Sequence, residues 1–335
     1  MENSELRQDL VSGDWVIIAP GRLRRPDQFL KKKVKQIVPS KKNCPFEGKK
    51  FLKRIEGKII LRWPETGPAK ILIFPNDYPV LNHLVIPQKG KIVLKKEGPY
   101  NVVEGRGRHD LVVTNSHFKD FFELSLEEAI QVLVAFRDRY LMLAGNKNLA
   151  YVSIFHNWGT LAGASVYHPH YQIISLPVVP PDVSHSLAGS DRYFKEHHSC
   201  VHCAIIDWEK KEKKRIIAEN KDAIAFAPFV SRNPFEVRVF LKKHQPYFEN
   251  TPDGELRGVA IILRQVLHLL KKNLNGPDYN FFIHTSPLKN KRAYQHYHWH
   301  MEILPKFSIQ AGFELGTGIE INVIDPDLAA KILRK

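Results

Sequence analysis

The sequence HPHYQIISLP, residues 168–177, decides the fold and the chemistry that we expect of this chain. Its apolar, β-branched part predicts a strand. Side chains two residues apart point to the same face of a strand, so His168 and His170 are expected to lie side by side. Pro169 lacks a backbone N–H, which indicates a bent strand or one near a sheet edge. Two imidazoles on one face suit either shared metal ligation or catalysis by one positioned histidine.

A glycine-containing segment lies directly before this strand. It includes Asn157 and Gly159, and it ends in Gly163-Ala164-Ser165. Glycine lets the backbone approach a ligand closely, and the Ser165 hydroxyl adds a donor. The segment therefore fits a ligand-contacting loop beside the two histidines.

The composition is that of an ordinary globular protein, with 43% hydrophobic and 25% charged residues among 335. The length suggests roughly two domains. The N-terminus is polar and lacks the apolar segment of a signal peptide, and no apolar run approaches the ~18 residues that span a bilayer. We therefore expect a cytoplasmic protein without a membrane partner.

The formal net charge is +15, and much of it lies in lysine runs at residues 31–33, 41–42 and 210–214. Such runs are typical of solvated faces, and they can also steer an anionic substrate towards a site. Basic residues interleaved with aromatic ones would indicate nucleic-acid binding, and this pattern is not found. We favour solvated faces with some steering of a phosphorylated substrate, and we expect no nucleic-acid partner.

The second half of the chain repeats the order of the first. The capping box at Ser125 predicts a helix, and Thr251-Pro252 predicts a second one. Each helix is followed by a strand that ends at a histidine and then by a His-x-His sequence. We therefore predict an α+β fold of two duplicated units, residues 1–185 and 186–335, each a small antiparallel sheet with a packed helix. One continuous sheet is the alternative, and the duplication argues against it.

The pattern Gly-x-Ser-x-x-His-Pro-His-x-Gln, from Gly163 to Gln172, resembles the active-site signature of the galactose-1-phosphate uridylyltransferase family, within the histidine-triad superfamily. The resemblance implies histidine-triad-like units and a ping-pong nucleotidyl transfer. It implies that His170 attacks the α-phosphorus of a nucleotide sugar and releases a sugar 1-phosphate. Gln172 would hydrogen-bond the transferred phosphoryl group, and Ser165 would donate to the leaving phosphate.

The residues themselves indicate which half reacts. Two residues after its second histidine, the first half has Gln172 and the second half has Glu302. A glutamine amide can donate to a phosphoryl oxygen, whereas a glutamate repels that oxygen unless it is protonated. We therefore predict that the first half is catalytic and that the second half is structural or contributes to substrate binding.

Further segments, in chain order, resemble the family's substrate-binding segments for nucleotide, phosphate and hexose. The residues that this implies are Arg22, Arg25, Asn76, Asp77, Asn157, Gly159, Lys306, Phe307 and Glu314. The implied substrates are a UDP- or ADP-hexose, with a sugar 1-phosphate or phosphate as the acceptor. The family often forms dimers, so a homodimer is an open expectation.

The C-terminal segment from Ala311 to Gly318 looks closer to the ADP-glucose phosphorylase branch, which uses phosphate as its acceptor. A glutamine that the galactose enzymes place after Gly-Phe-Glu is not evident, and Glu320 lies near that position. Galactose-1-phosphate uridylyl transfer is the leading hypothesis, and ADP-sugar phosphorolysis is the alternative. A non-catalytic nucleotide-binding protein and a nucleotide hydrolase are further alternatives.

The repeat also predicts two metal sites built alike. The second would be a Cys₂His₂ set suited to tetrahedral zinc: Cys200, Cys203, His244 and His298. The first would carry a carboxylate where family members have a second cysteine: Cys44, Glu47, His117 and His168. In some family members, histidines of the second half bind a different metal. The corresponding residues here would be His284, His298 and His300.

Overall fold

The computed structural model describes residues 3–22, 40–83, 94–307 and 310–335. The strands in these ranges are β1 (Glu5–Gln8), β2 (Trp15–Ile18), β3 (Leu61–Trp63), β4 (Ile71–Pro75), β5 (Asn82–His83), β6 (Leu94–Glu97), β7 (Tyr100–Val103), β8 (Arg106–Thr114), β9 (Tyr151–Trp158), β10 (His170–Leu176), β11 (Ile216–Glu219), β12 (Ala223–Phe226), β13 (Val237–Leu241), β14 (Tyr279–His284), β15 (His300–Pro305) and β16 (Glu320–Asn322). The α-helices are α1 (Gly48–Ile55), α2 (Leu126–Ala144), α3 (Pro181–His197), α4 (Val201–Glu212), α5 (Asp253–Asn273), α6 (Gly312–Thr317) and α7 (Pro326–Leu333).

Most of the strands form one sheet that runs through both halves of the chain. Its order is β11-β12-β13-β15-β14-β9-β10-β8-β4-β3, and β5 pairs with β8. The two halves meet where β9 pairs antiparallel with β14, with Phe155 opposite Phe282. The hairpin β1-β2 forms a smaller sheet with β16, and β6 pairs with β7.

The strand order confirms the duplication. From the junction outward, β9-β10-β8-β4-β3 is matched by β14-β15-β13-β12-β11. Helices α2 and α5 hold equivalent places in the two halves, and so do α1 and α4. The argument against one continuous sheet is wrong, because β9 and β14 use their outer edges to pair with each other and so cover two edges that would otherwise be exposed. The division at residue 185 stays a prediction, and it falls within α3.

The helices cover the two faces of the sheet differently. Helices α2 and α5 pack on one face and bury residues such as Phe136 and Leu263 in the main core. On the other face, α1 packs against β4 and β8 at one end, and α4 packs against β12 and β13 at the other. Since α1 and α4 occupy opposite ends, the second face offers room for a site around the central strands.

Two local predictions are corrected by the helices. The polar, basic sequence at residues 31–53 predicts a loop, but α1 starts within it at Gly48, and residues 23–39 lie outside the described ranges. The prolines and the glycine at residues 177–190 predict a connector, but the first part of α3 lies there, because Pro181 occupies a first-turn position that tolerates proline. Within the described residues, no helix is long and apolar enough to cross a membrane.

Candidate active site and metal centres

His170 begins β10 and presents a neutral, oriented imidazole. Its Nδ1 lies 2.9 Å from the backbone oxygen of His168. Because a carbonyl only accepts, Nδ1 carries the proton and Nε2 carries a lone pair. The side chain is 8% exposed. Burial lowers the pKa of His170 to about 4, so the ring is uncharged near neutral pH.

The backbone of His170 is held by His156, for which the sequence predicted no role in the site. Nδ1 of His156 donates to the His170 carbonyl oxygen over 2.8 Å, and His156 is fully buried. Nearby, the Asp120 carboxylate accepts from the Tyr279 hydroxyl over 2.6 Å. Asp120 also lies 3.8 Å from His156 Nε2, so the residue that holds the start of β10 is in turn next to a buried carboxylate.

Gln172 points its carbonyl oxygen at His109. The distance from His109 Nε2 to Gln172 Oε1 is 2.9 Å. The sequence contains a usable signal for this contact. Leu111-Val112-Val113-Thr114 predicts a short strand, and extending it towards its N-terminus places His109 on the same face as Leu111, which pairs with Gln172.

The glycine segment is held by the second half of the chain. Gly159 has a φ of +83°, and a Cβ there would lie 2.1 Å from the Asp278 carboxyl carbon. Asp278 accepts from the backbone N–H of Leu161 over 2.8 Å. The Asn280 amide donates to Asn157 Oδ1 and to the Ala162 carbonyl oxygen, both over 2.8 Å. Ser165, at the end of this segment, is exposed.

The predicted substrate residues fall in two places. Asn76 contacts His109 next to Gln172, and Asp77 forms exposed ion pairs with Arg54 and Lys58 beside α1. Arg25 lies outside the described residues. A second group, with Arg22, Lys306 and Glu314, lines a cavity of about 700 Å³ that also borders Leu304 of β15. Phe307 packs against the ring of Phe235, with ring centroids 5.5 Å apart.

The two places are separated along the sheet. Strand β15 lies three strands from β10, in the order β15-β14-β9-β10. With strands spaced by about 4.8 Å, the backbones are roughly 14 Å apart. Among the described residues that line the cavity with Lys306 and Glu314, Leu161 belongs to the glycine segment, whereas His170 is not part of the lining.

The first predicted metal group comes together around His168. Its Nε2 donates to the Thr114 carbonyl oxygen over 2.7 Å, which leaves Nδ1 as the coordinating atom. Nδ1 lies 3.5 Å from Cys44 Sγ, and His117 completes a group whose ligand atoms all lie within 4.8 Å. Glu47 Oε1 lies 3.6 Å from His168 Nδ1 and 3.8 Å from His117 Nδ1. This oxygen is buried with no hydrogen-bond partner among the described residues, as expected of an oxygen that coordinates a cation.

The second predicted group also comes together, as Cys200, Cys203, His244 and His298. Cys203 Sγ lies 3.4 Å from His244 Nδ1 and 3.6 Å from His298 Nδ1. His244 Nε2 donates to the Gln295 carbonyl oxygen over 2.7 Å, so Nδ1 faces the group. The hydrogen bond between the two thiols lowers the pKa of Cys200 and raises the pKa of Cys203, so Cys200 is the cysteine that more readily forms a thiolate.

The alternative second-half set is divided. His298 belongs to the cysteine group, whereas His284 and His300 lie with Glu302. His300 repeats the geometry of His170, since its Nδ1 lies 3.2 Å from the His298 carbonyl oxygen. Glu302 is already paired with Arg232 at 2.8 Å and with Arg238 at 3.3 Å. Two guanidinium groups on one carboxylate disfavour a further cation there.

Comparison with known proteins agrees with this geometry. The family model for the N-terminal domain of galactose-1-phosphate uridyl transferase matches residues 1–180. A model for a domain of unknown function, DUF4921, matches residues 104–335. Together the two models span both halves of the repeat.

Curated relatives match over nearly the whole chain. ADP-glucose phosphorylase of Arabidopsis thaliana is 34% identical and covers 100% of this chain and 93% of its own length. Galactose-1-phosphate uridylyltransferase of Thermotoga maritima is 27% identical and covers 99% of this chain and 98% of its own. A crystal structure of the Arabidopsis thaliana ADP-glucose phosphorylase with bound ADP-glucose superposes with a TM-score of 0.81, at 30% identity and 99% coverage of both chains.

The strand order defines an α+β protein built from two equivalent units, in which His170 and His300 hold equivalent places. The chain belongs to the galactose-1-phosphate uridylyltransferase family, and it is an enzyme of the nucleotidyltransferase type.

Proposed function

We propose that this chain moves a nucleoside monophosphate from a nucleotide sugar to a phosphorylated acceptor, with His170 as the covalent carrier. The observation that carries this proposal is the hydrogen bond from His170 Nδ1 to the His168 carbonyl oxygen. It leaves the Nε2 lone pair of a neutral imidazole available for attack.

The transfer would take two displacement steps. In the first, His170 Nε2 bonds to the α-phosphorus, and the bond from that phosphorus to the sugar phosphate oxygen breaks. The amide of Gln172 would donate to a non-bridging oxygen, and the exposed hydroxyl of Ser165 would donate to the leaving phosphate. In the second, an oxygen of the acceptor phosphate attacks, the phosphorus–nitrogen bond breaks, and neutral His170 is restored.

We assign zinc to the two clustered metal groups. A tetrahedral zinc ion with Zn–S near 2.3 Å and Zn–N near 2.0 Å sets sulfur–nitrogen separations of about 3.6 Å. The Cys203 and Cys44 contacts of 3.4 to 3.6 Å fit this value. Bound zinc would supply structural cross-links, one joining the Cys44 loop to His168, two residues before His170. Glu47 is the proposed fourth group of the first site.

The identity of the base separates two candidates. Galactose-1-phosphate uridylyl transfer is supported by the family model and by the Thermotoga relative, which carries that name. ADP-glucose phosphorolysis is supported by the Arabidopsis relative, which is 34% identical, and by the related structure that holds ADP-glucose. Both candidates use the same nucleotidyl-histidine.

The hexose end of the site would come from a second copy of the chain in a homodimer. Lys306 and Glu314 line a cavity that lies three strands from His170 of their own chain. A neighbouring copy can bring the same residues to the sugar phosphate. Mixing inactive His170→Asn and Glu314→Ala chains should then restore activity, up to about a quarter of the wild-type value for random pairing. No restoration by mixed dimers would exclude this arrangement.

The central experiment is the intact mass of the protein after mixing with UDP-glucose or with ADP-glucose, with His170→Asn as the control. A mass gain equal to UMP, lost in His170→Asn, supports uridylyl transfer. A gain equal to AMP supports the phosphorylase candidate. A gain that persists in His170→Asn would refute His170 as the carrier, and no gain with either sugar would count against a stable intermediate.

A further inference from the structure

We propose that His109 is a positioning residue, which orients the Gln172 amide towards the phosphoryl group and ties it to the turn at residues 76–80. This proposal rests on the role proposed above for Gln172. It goes beyond that role because it links the catalytic glutamine to a separate segment of the chain through one buried ring, which is 4% exposed.

The register of two strands brings His109 to Gln172. Strand β8 pairs antiparallel with β10, and Leu111 lies opposite Gln172. His109 lies two residues from Leu111 on the same face, within reach of the diagonal neighbour. The result is the 2.9 Å contact between His109 Nε2 and Gln172 Oε1.

The hydrogen bonds define the tautomer of His109. The backbone N–H of Val80 points at Nδ1 over 3.3 Å, and an N–H can only donate. Nδ1 is therefore the acceptor, and Nε2 carries the hydrogen that Gln172 Oε1 accepts. With its oxygen held in this way, Gln172 must direct its amide hydrogens away from His109. Without His109 the amide could turn over, and its oxygen would then face the phosphoryl oxygens and repel them.

The turn that follows β4 contacts both the backbone and the ring of His109. The backbone N–H of Asn76 donates to the His109 carbonyl oxygen over 2.8 Å. The amide nitrogen of Asn76 lies 3.5 Å from Nδ1 and 3.2 Å from Nε2, and it can donate only to Nδ1, because Nε2 already carries a hydrogen. The oxygen of the Asn76 amide accepts from the N–H of Tyr78 over 3.0 Å. A nucleotide that contacts Asn76 would therefore contact a residue that is connected to Gln172 through the His109 ring. Displacement of this turn should lower the rate of transfer more than it weakens binding.

A double-mutant cycle tests the positioning role. The rate of His170 nucleotidylation is measured in a single turnover for wild type, His109→Phe, Gln172→Ala and the double variant. Loss of one preorganised donor costs about 100-fold in rate, so we expect His109→Phe to lower the rate by about 10- to 100-fold. In the Gln172→Ala background the same change should cost about twofold or less. His109→Gln, which keeps an N–H donor, should recover part of the rate. Equal losses in both backgrounds would overturn the proposal.

A second measurement does not depend on activity. Nitrogen-15 chemical shifts of His109, assigned by comparison with His109→Phe, report which ring nitrogen is protonated. We expect the hydrogen on Nε2 in the unliganded protein, and a hydrogen on Nδ1 would overturn the inference. If wild type forms no nucleotidyl-histidine with either nucleotide sugar, the proposed function fails. The nitrogen-15 measurement would still show whether His109 Nε2 donates to Gln172.

Discussion

The amide of Asn280, in the second half of the chain, donates to the side-chain oxygen of Asn157 in the first half over 2.8 Å. The two residues lie opposite each other where β14 pairs with β9. Through its second hydrogen, Asn280 also holds the Ala162 carbonyl oxygen. The loop that carries Ser165 is thus shaped by contacts from the second half of the chain.

Replacing Asn280 by Ala should lower turnover about tenfold and stability by about 1–3 kcal/mol, because it leaves two acceptors in the loop unpaired. Steady-state kinetics and urea unfolding measure the two effects. Asn273→Ala is the matched control, since Asn273 also donates to a backbone oxygen, that of Leu333, far from the loop. It should lose stability without losing turnover. Equal turnover in both variants would contradict the positioning of the loop by Asn280.

Replacing Gly159 by Ala should destabilise the protein by about 1–3 kcal/mol, because the residue has a positive φ and the new Cβ would collide with the buried Asp278 carboxylate. Thermal unfolding measures the change. Gly254→Ala is the control, since a Cβ at this position in α5 meets nothing within 4 Å. This control should be neutral or slightly stabilising. An unchanged melting temperature for Gly159→Ala would show that the loop can move away from Asp278.

The rate of His170 nucleotidylation should be nearly independent of pH between about 5.5 and 8. Only the neutral imidazole attacks, and burial lowers the pKa of His170 to about 4 from an ordinary value of 6.5. The reactive form therefore persists as pH falls through 6.5 and is lost only near pH 4. A cation held by His168 would shift the pKa in the same direction.

Rapid-quench measurements across this pH range, with folding checked by circular dichroism, test the expectation. The folding check is needed because desolvation also lowers the pKa of the half-buried His284 to about 3. Its neutral form contributes stability above pH 6.5, and that contribution is lost as pH falls towards 3. A rate that halves near pH 6.5 while the fold persists would show that His170 titrates like an exposed histidine.

Replacing Cys203 by Ser should remove about one zinc ion per chain and lower the melting temperature, since the second metal group loses the thiolate that contacts both of its histidines. Elemental analysis and thermal unfolding provide the readouts. Cys44→Ser is the parallel variant for the first group and should also remove one ion. If Cys203→Ser keeps the wild-type zinc content, the second group does not bind the metal through this sulfur.

Replacing Glu302 by Gln should destabilise the protein by about 3–5 kcal/mol, because Arg232 and Arg238 would lose a shared buried partner. Chemical unfolding measures this loss. The exposed Glu97→Gln change in β6 is the control and should have little effect. A neutral result for Glu302→Gln would mean that Arg238 is satisfied by its other partners, Glu236 and Asp9, and that Arg232 does not need a charged partner.

Much of the site was predictable from local patterns. The His-Pro-His strand, the helix caps at Ser125 and near Thr251, and the Cys-x-x-Cys group are signals within a few residues, and the structure brings their members together. Their periodicity and spacing carry enough information, because strand alternation and helix capping depend on near neighbours.

The site residues that the sequence did not predict make their contacts with residues that are distant in the chain. Asn280 and Asp278 reach the Ser165 loop, and His109 reaches Gln172, over separations of more than 60 residues. By local pattern, Asn280 and His109 are ordinary strand residues, and Asp278 directly precedes a strand. Their roles depend on strand register, which a side-chain pattern does not reveal for non-neighbouring strands.

By itself, the sequence determined the family, the duplicated α+β units and the residues with reactive chemistry, since these depend on residue types at short spacings. Only the tertiary structure decided that the two units share one sheet, that His298 joins the cysteines instead of His284 and His300, and that Lys306 and Glu314 lie away from His170 of their own chain. The physical reason is the pairing of β9 with β14, which satisfies backbone groups at two strand edges and thereby sets every distance between the halves.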